Sequence, residues 1–122
     1  MSTPWLRRCF PNQIDKVRYF TARVSARPHD PGQPQRQETY LRALATIADV
    51  ELHFGHFLTH EISMPDAVAW KTGRYRAVRV MKTEEKGSDV NLATHLLMDA
   101  IDDLFDVADI ISNDSDLKEP II

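Results

Sequence analysis

Three aspartates in the C-terminal part of the chain have the type and spacing for chemistry at a divalent metal ion. Asp114 and Asp116 are separated by one residue and follow an apolar segment, and Asp89 follows a glycine that permits a sharp turn. Neighbouring carboxylates repel each other, and a divalent cation or a basic partner relieves that repulsion. Their oxygens suit Mg²⁺ or Mn²⁺. The alternative is local: Ser88 or Asp89 caps a helix, and Asp114 and Asp116 form a turn.

Strands and helices that alternate along the chain must position these aspartates. Runs of β-branched, aromatic and other apolar residues predict strands at 16–24, 50–54, 75–82 and 106–111. Apolar residues at helical spacing predict helices at about 35–48 and 88–105. A short helical turn at 5–10 and irregular segments at 27–35 and 55–73 complete the prediction. This alternation indicates an α/β sheet with helices on its faces. With parallel strands, the start of helix 88–105 and the loop 112–116 share one sheet edge, where the aspartates converge.

Length and composition indicate one domain, residues 1–122, with an ordinary core. No apolar stretch approaches the roughly 20 residues that span a bilayer, and the N-terminus lacks the pattern of a secretory signal. The single cysteine, Cys9, excludes an intramolecular disulfide and fits the cytoplasm. The net charge of −3 conceals an asymmetry, because residues 1–83 carry 13 Lys/Arg against 7 Asp/Glu and residues 84–122 carry 2 against 11. A basic half attracts a polyanion, although two differently charged solvent-exposed faces would give the same balance.

Basic residues interleaved with tyrosines suggest a surface for single-stranded nucleic acid, through phosphate pairing and base stacking. The basic residues are Arg18, Arg23, Arg27, Arg36, Arg42, Arg74, Arg76, Arg79, Lys82 and Lys86, and the tyrosines are Tyr19, Tyr40 and Tyr75. Ordinary solvated arginines are the alternative.

Two further kinds of site remain open in the sequence. His53, His56 and His60 have spacings that zinc ligands use, although His53 and His56 point to opposite faces if they share a strand. Asp114 and Asp116 also form the acidic pair that some phosphatases use, although that chemistry places the nucleophilic aspartate early in the fold. No glycine-rich phosphate loop and no nucleophile-elbow motif occurs.

Two segments together resemble the NYN domain family of PIN-like, metal-dependent nucleases. The family's K-G-x-D motif matches Lys86, Gly87 and Asp89, and its S-x-D-S-D motif matches Ser112, Asp114, Ser115 and Asp116. The segments 17–24, 36–37 and 40–44 also look like bacterial members. The resemblance covers nearly all of the chain.

The resemblance implies a three-layer PIN-like fold with a mainly parallel sheet and a metal-dependent endoribonuclease activity. Asp89, Asp114 and Asp116 would hold Mg²⁺ or Mn²⁺ as catalytic residues, with Ser112, Asn113, Ser115 and Lys86 in support. RNA would be held by basic residues such as Arg18, Arg23, Arg36 and Lys82.

The chain departs from the family at both ends. Family members open with a strand that ends in an acidic motif and lies at the centre of the sheet, and they close with a further strand. Neither has a counterpart here, so we expect a domain that is truncated at both ends, with an impaired metal site. The alternative is a non-catalytic module that binds RNA or another protein, with a second copy or a partner chain completing the sheet.

Overall fold

Three strands and the helices between them form a mixed α/β fold in the computed structural model, which describes residues 13–121. The strands are β1 (Val17–Ala22), β2 (Val50–Pro65) and β3 (Ala77–Lys86). The helices are α1 (Gln33–Leu44), α2 (Ala67–Lys71), α3 (Ser88–Ile101) and α4 (Lys118–Ile121), with a 3-10 turn at Ser115–Leu117. The predicted helical turn 5–10 and Cys9 lie outside the described residues.

The two outer strands pair with successive segments of the long central strand. β1 runs parallel to the first part of β2, from Val17 opposite Val50 to Ala22 opposite Gly55. β3 runs antiparallel to the rest of β2, from His56 opposite Lys86 to Pro65 opposite Ala77. The expectation of a mainly parallel sheet was therefore wrong for the described residues, because the short connection through α2 returns the chain beside β2 in the opposite direction. The antiparallel part, residues 56–65 and 77–86, therefore extends beyond β1 as a two-stranded arm, and α2 closes its far end. At the usual rise per residue the arm is about 30 Å long.

Helices lie on both faces of the sheet, as the alternation of elements predicts. On one face, the Tyr40 ring of α1 meets the Tyr19 ring of β1 edge-on, with centroids 6.3 Å apart. On the other face, Asp99 of α3 accepts from Arg18 of β1 at 2.7 Å. The buried core is small, since only Ala22, Leu41 and Leu117 are buried among the described residues.

The strand predicted at 106–111 is absent, and that prediction was wrong. Residues 104–114 have no regular secondary structure, and Val107 and Ile111 are exposed. A strand needs a neighbour for its backbone hydrogen bonds. In the part of the chain that the structure describes, no strand lies beside this segment.

The prediction of an irregular segment at 55–73 was also wrong. β2 continues through Gly55 to Pro65, and α2 follows after Asp66. The helix predicted at 88–105 begins where expected and ends earlier, at Ile101. Asp102 and Asp103 follow at its C-terminus, where the helix dipole disfavours negative charge, and Asp103 is left-handed with φ 55°. None of the helices described here is long and apolar enough to cross a membrane.

Candidate functional site

A tight junction between β3 and α3 sets the position of Asp89. Gly87 is the N-cap of α3 and has φ 98°, in the left-handed region that glycine adopts most readily. The Glu85 side chain takes the capping role, because its Oε1 accepts from the backbone N–H of Ser88 at 3.2 Å and from the Ser88 hydroxyl at 2.7 Å. Neither Ser88 nor Asp89 therefore caps the helix. Asp89 lies in the first turn of α3 with its carboxyl free for other contacts.

The junction depends on the small size of Gly55 at the end of the β1–β2 pairing. A Cβ atom built on Gly55 would overlap Glu85 Oε1 and the carbonyl oxygen of Lys86, and would lie 3.0 Å from the Ser88 nitrogen. Glycine inside a strand often marks such a close approach of another segment. Gly55 thus gives Glu85 the space to cap α3.

The loop that carries Asp114 and Asp116 is held by its own hydrogen bonds and by one buried side chain. Ser112 Oγ accepts from the Asp114 backbone N–H at 3.0 Å, and Asp114 Oδ1 accepts from the Asp116 backbone N–H at 2.9 Å. Leu117 follows directly and is one of the three buried residues. The loop is therefore anchored at its C-terminal end.

The start of α3 and the acidic loop meet at one place. The Asp114 carboxylate is within hydrogen-bonding reach of the Asp89 carboxyl. Lost hydration raises the pKa of Asp89, and the hydrogen bond to Asp114 and the negative charges of Asp114, Glu85 and Asp116 raise it further. Asp89 therefore lies beside the acidic loop, and the convergence of all three aspartates on one cation stays a prediction. However, within residues 13–121 no three His, Cys, Asp or Glu side chains are arranged to hold a metal ion.

The residues predicted to support the aspartates occupy different positions. Ser112 accepts a hydrogen bond from the backbone N–H of Asp114, and Ser115 begins the 3-10 turn. Lys86 is paired with Glu84, its Nζ lying 3.3 Å from a Glu84 oxygen, on the face of β3 opposite Glu85. Asn113 is exposed. Their supporting roles stay predictions.

All four basic residues predicted to hold RNA take part in ion pairs. Arg18 contacts Asp99 at 2.7 Å, Arg36 contacts Asp30 at 2.5 Å, Lys82 contacts Glu84 at 2.5 Å, and Arg23 pairs with Glu38. A cation that is paired with a carboxylate attracts a phosphate less strongly, because its charge is partly neutralised. RNA binding by these four residues stays a prediction.

A cluster of charged and aromatic side chains fixes α3 on the sheet. Arg18 makes two hydrogen bonds to Asp99, at 2.7 and 2.8 Å, and also contacts Glu51. The His53 ring stacks on Phe20 with centroids 4.9 Å apart, and the His95 ring centroid lies 4.1 Å from that of His53. Burial, His95 and Arg18 lower the pKa of His53. His56 and His60 lie on the opposite face of β2, so the three histidines considered as zinc ligands do not meet.

Sequence reasoning missed two residues of the site, Glu85 and Gly55. Glu85 is a fourth carboxylate beside Asp89, and it caps α3. The signal in the sequence was Gly55, which lies within an alternating pattern of apolar residues. A glycine at such a position can indicate that another segment packs closely against the strand, as well as that the strand ends. The partner in that approach was not evident from sequence.

Replacing Asp89 with asparagine should stabilise the protein near neutral pH and give no gain near pH 3. The pKa of Asp89 is raised in the folded state, so the folded chain holds this proton more tightly than the unfolded chain. Stability is therefore lost as the pH rises through the folded pKa. The expected gain is up to about 1 kcal/mol, since the group is largely exposed. Thermal unfolding across this pH range measures it, with the exposed Asp109→Asn as control. Equal stability of Asp89→Asn and wild type at every pH would contradict a raised pKa of Asp89 in the folded state.

Comparison with known proteins finds one distant relative among curated proteins. The chain is 31% identical over 108 residues to 6-hydroxy-3-succinoylpyridine 3-monooxygenase HspA of Pseudomonas putida (strain DSM 28022 / S16). The match covers 83% of this chain and 35% of the relative, so the chain spans about a third of that protein's length. No model of a known protein family matches the chain, and no solved structure matches it.

Proposed function

We propose that the chain is a metal-dependent ribonuclease domain of the NYN, PIN-like type. The observation that carries the proposal is the contact between Asp89 and Asp114, with Asp116 and Glu85 close enough to raise the pKa of Asp89. The two sequence motifs that resemble the family supply Asp89, Asp114 and Asp116. Helices on both faces of the sheet support the proposed three-layer architecture.

The chemistry of the donor set fits a hard divalent cation. The carboxylates supply oxygen ligands, and a bound cation would relieve the repulsion between them. Asp89, Asp114 and Asp116 would hold Mg²⁺ or Mn²⁺, and Glu85 would keep Asp89 in place by capping α3. Because no three of these side chains are arranged as ligands in the described residues, we expect metal binding to be weak and to draw the acidic loop closer to α3.

When bound, the metal would activate water and stabilise negative charge on the scissile phosphate. The chain's own residues bring the carboxylates together: Gly87 turns the backbone, Glu85 fixes the first turn of α3, and Ser112 fixes the loop. The test is cleavage of a labelled single-stranded RNA with Mn²⁺ and with excess chelator. Cleavage that the chelator stops supports the proposal, and no cleavage at any Mn²⁺ concentration contradicts it.

A non-catalytic interaction module is the second candidate, and an unfilled sheet edge favours it. Among the described residues, β1 has a strand neighbour on one side only, and segment 106–111 has none. Apolar side chains on α3 and after it are exposed, including Leu97, Ile101 and Val107. A strand from a second copy or a partner chain would satisfy the backbone groups of β1. Light scattering during size-exclusion chromatography tests self-association, and a monomer at all concentrations would argue against a second copy.

The name of the distant relative suggests another activity, oxygenation of a pyridine. The chain matches about a third of that protein. We propose instead that the chemistry is carried by the acidic cluster of Asp89, Asp114, Asp116 and Glu85. Incubation with 6-hydroxy-3-succinoylpyridine, O₂ and a reductant distinguishes the two activities. We expect no hydroxylated product, and its formation would contradict the ribonuclease proposal.

A further inference from the structure

The far end of the arm exposes aromatic and basic side chains together. Trp70 and Tyr75 are 66% and 77% exposed. Lys71, Arg74 and Arg76 lie between and beside them, are exposed, and form no ion pair with any residue that the structure describes. We call these five residues the tip. They contrast with Arg18, Arg23 and Arg36, each of which forms an ion pair with a carboxylate.

Hydrogen bonds hold the backbone of the tip in one conformation. Asp66 Oδ1 accepts from the N–H groups of Val68 and Ala69, both at 2.9 Å, and the Asp66 N–H donates to the Arg76 carbonyl at 2.7 Å. The Arg74 N–H donates to the Ala69 carbonyl at 2.9 Å. A surface that is ordered before binding loses less conformational entropy when a ligand binds.

The charge of the tip is available to an anion. The nearest carboxylate in sequence, Asp66, is engaged in capping α2, and the next cation along β3, Arg79, is paired with Glu61. Lys71, Arg74 and Arg76 therefore give the tip a positive charge beside two accessible aromatic rings. This combination fits a flexible polyanion with flat apolar groups, because phosphates pair with the cations and bases stack on the rings.

We propose that the tip binds single-stranded nucleic acid. It lies about 30 Å from the acidic site, since the arm has ten paired positions between them. A strand bound there would be held at a distance from Asp89. The binding itself does not depend on the nuclease chemistry; only the identity of the strand as RNA rests on the proposed function.

The test is the affinity of the full chain for a labelled oligouridylate, measured by fluorescence anisotropy with chelator present. Trp70→Ala/Tyr75→Ala should weaken binding about a hundredfold, near tenfold for each stacked base. Arg74→Gln/Arg76→Gln should flatten the slope of log affinity against log salt by about 1.4, the loss of two phosphate contacts. The conservative Trp70→Phe/Tyr75→Phe should retain most of the affinity.

Val68→Ala is the matched control, because Val68 is equally exposed on α2 and has no ring or charge; it should leave affinity unchanged. Undiminished RNA binding in Trp70→Ala/Tyr75→Ala would overturn the proposal. Binding of anionic phospholipid vesicles through Trp70 and Tyr75, without binding of the oligonucleotide, would also overturn the proposal. Binding that persists in Asp114→Asn/Asp116→Asn supports the tip whether or not that variant cleaves RNA, which separates this proposal from the ribonuclease one.

Discussion

Replacing both loop aspartates with asparagine, Asp114→Asn/Asp116→Asn, should abolish Mn²⁺-dependent RNA cleavage, a loss of about a thousandfold or more. A catalytic metal supplies several kcal/mol of transition-state stabilisation, and each 1.4 kcal/mol is about tenfold in rate. Asparagine keeps an oxygen that can accept the hydrogen bond now made between Asp114 Oδ1 and the Asp116 N–H, so the turn should persist. The measurement is initial cleavage rate against Mn²⁺ concentration.

Thermal unfolding separates lost chemistry from lost structure in this variant. Lost hydration raises the pKa of Asp89, and the charges of Asp114 and Asp116 raise it further. Removing these two charges relieves that repulsion, so the variant should be at least as stable as wild type near neutral pH. Asp106→Asn/Asp109→Asn is the matched control, since it removes the same charge from exposed positions in the same acidic region. Undiminished cleavage in Asp114→Asn/Asp116→Asn would show that these residues do not carry the activity.

Local sequence patterns predicted the start of α3 and the place of Asp89 on it. The apolar spacing of residues 93–104 and the glycine at 87 act over a few residues, so no distant contact was needed. The approach of Asp89 to Asp114 was predicted from parallel strands that end at one sheet edge, but β3 is antiparallel to β2 and the strand expected to deliver Asp114 is absent. The loop reaches α3 through its own turn and the buried Leu117.

The errors occurred where structure depends on a partner distant in sequence. Segment 106–111 has the composition of a strand, but a strand forms only beside another, and none lies beside it in the described residues. Gly55 resembled the end of a strand because glycine breaks many strands. In the fold it marks the approach of Glu85, thirty positions later. Glu85 could not be assigned to the site without that contact.

Gly55→Ala should therefore be the most disruptive conservative change in the fold. The added methyl group would overlap Glu85 Oε1 and the Lys86 carbonyl, so the end of β3 must move. We expect a loss of about 2 kcal/mol and a fall in the unfolding midpoint of roughly 5–10 °C. The shift would also displace the start of α3 and weaken Mn²⁺ binding at the proposed site.

Gly32→Ala is the matched control for this steric effect. Its added Cβ would lie 3.1 Å from the end of the flexible Arg36 side chain, and the backbone there has φ −85°, which alanine adopts without strain. Its cost should stay below about 0.5 kcal/mol. Combining Gly55→Ala with Glu85→Ala removes one of the two overlaps and leaves the backbone carbonyl of Lys86. The double variant should therefore lack the Glu85 cap of α3 and recover little stability. Wild-type stability in Gly55→Ala alone would contradict the close approach of β3 to β2.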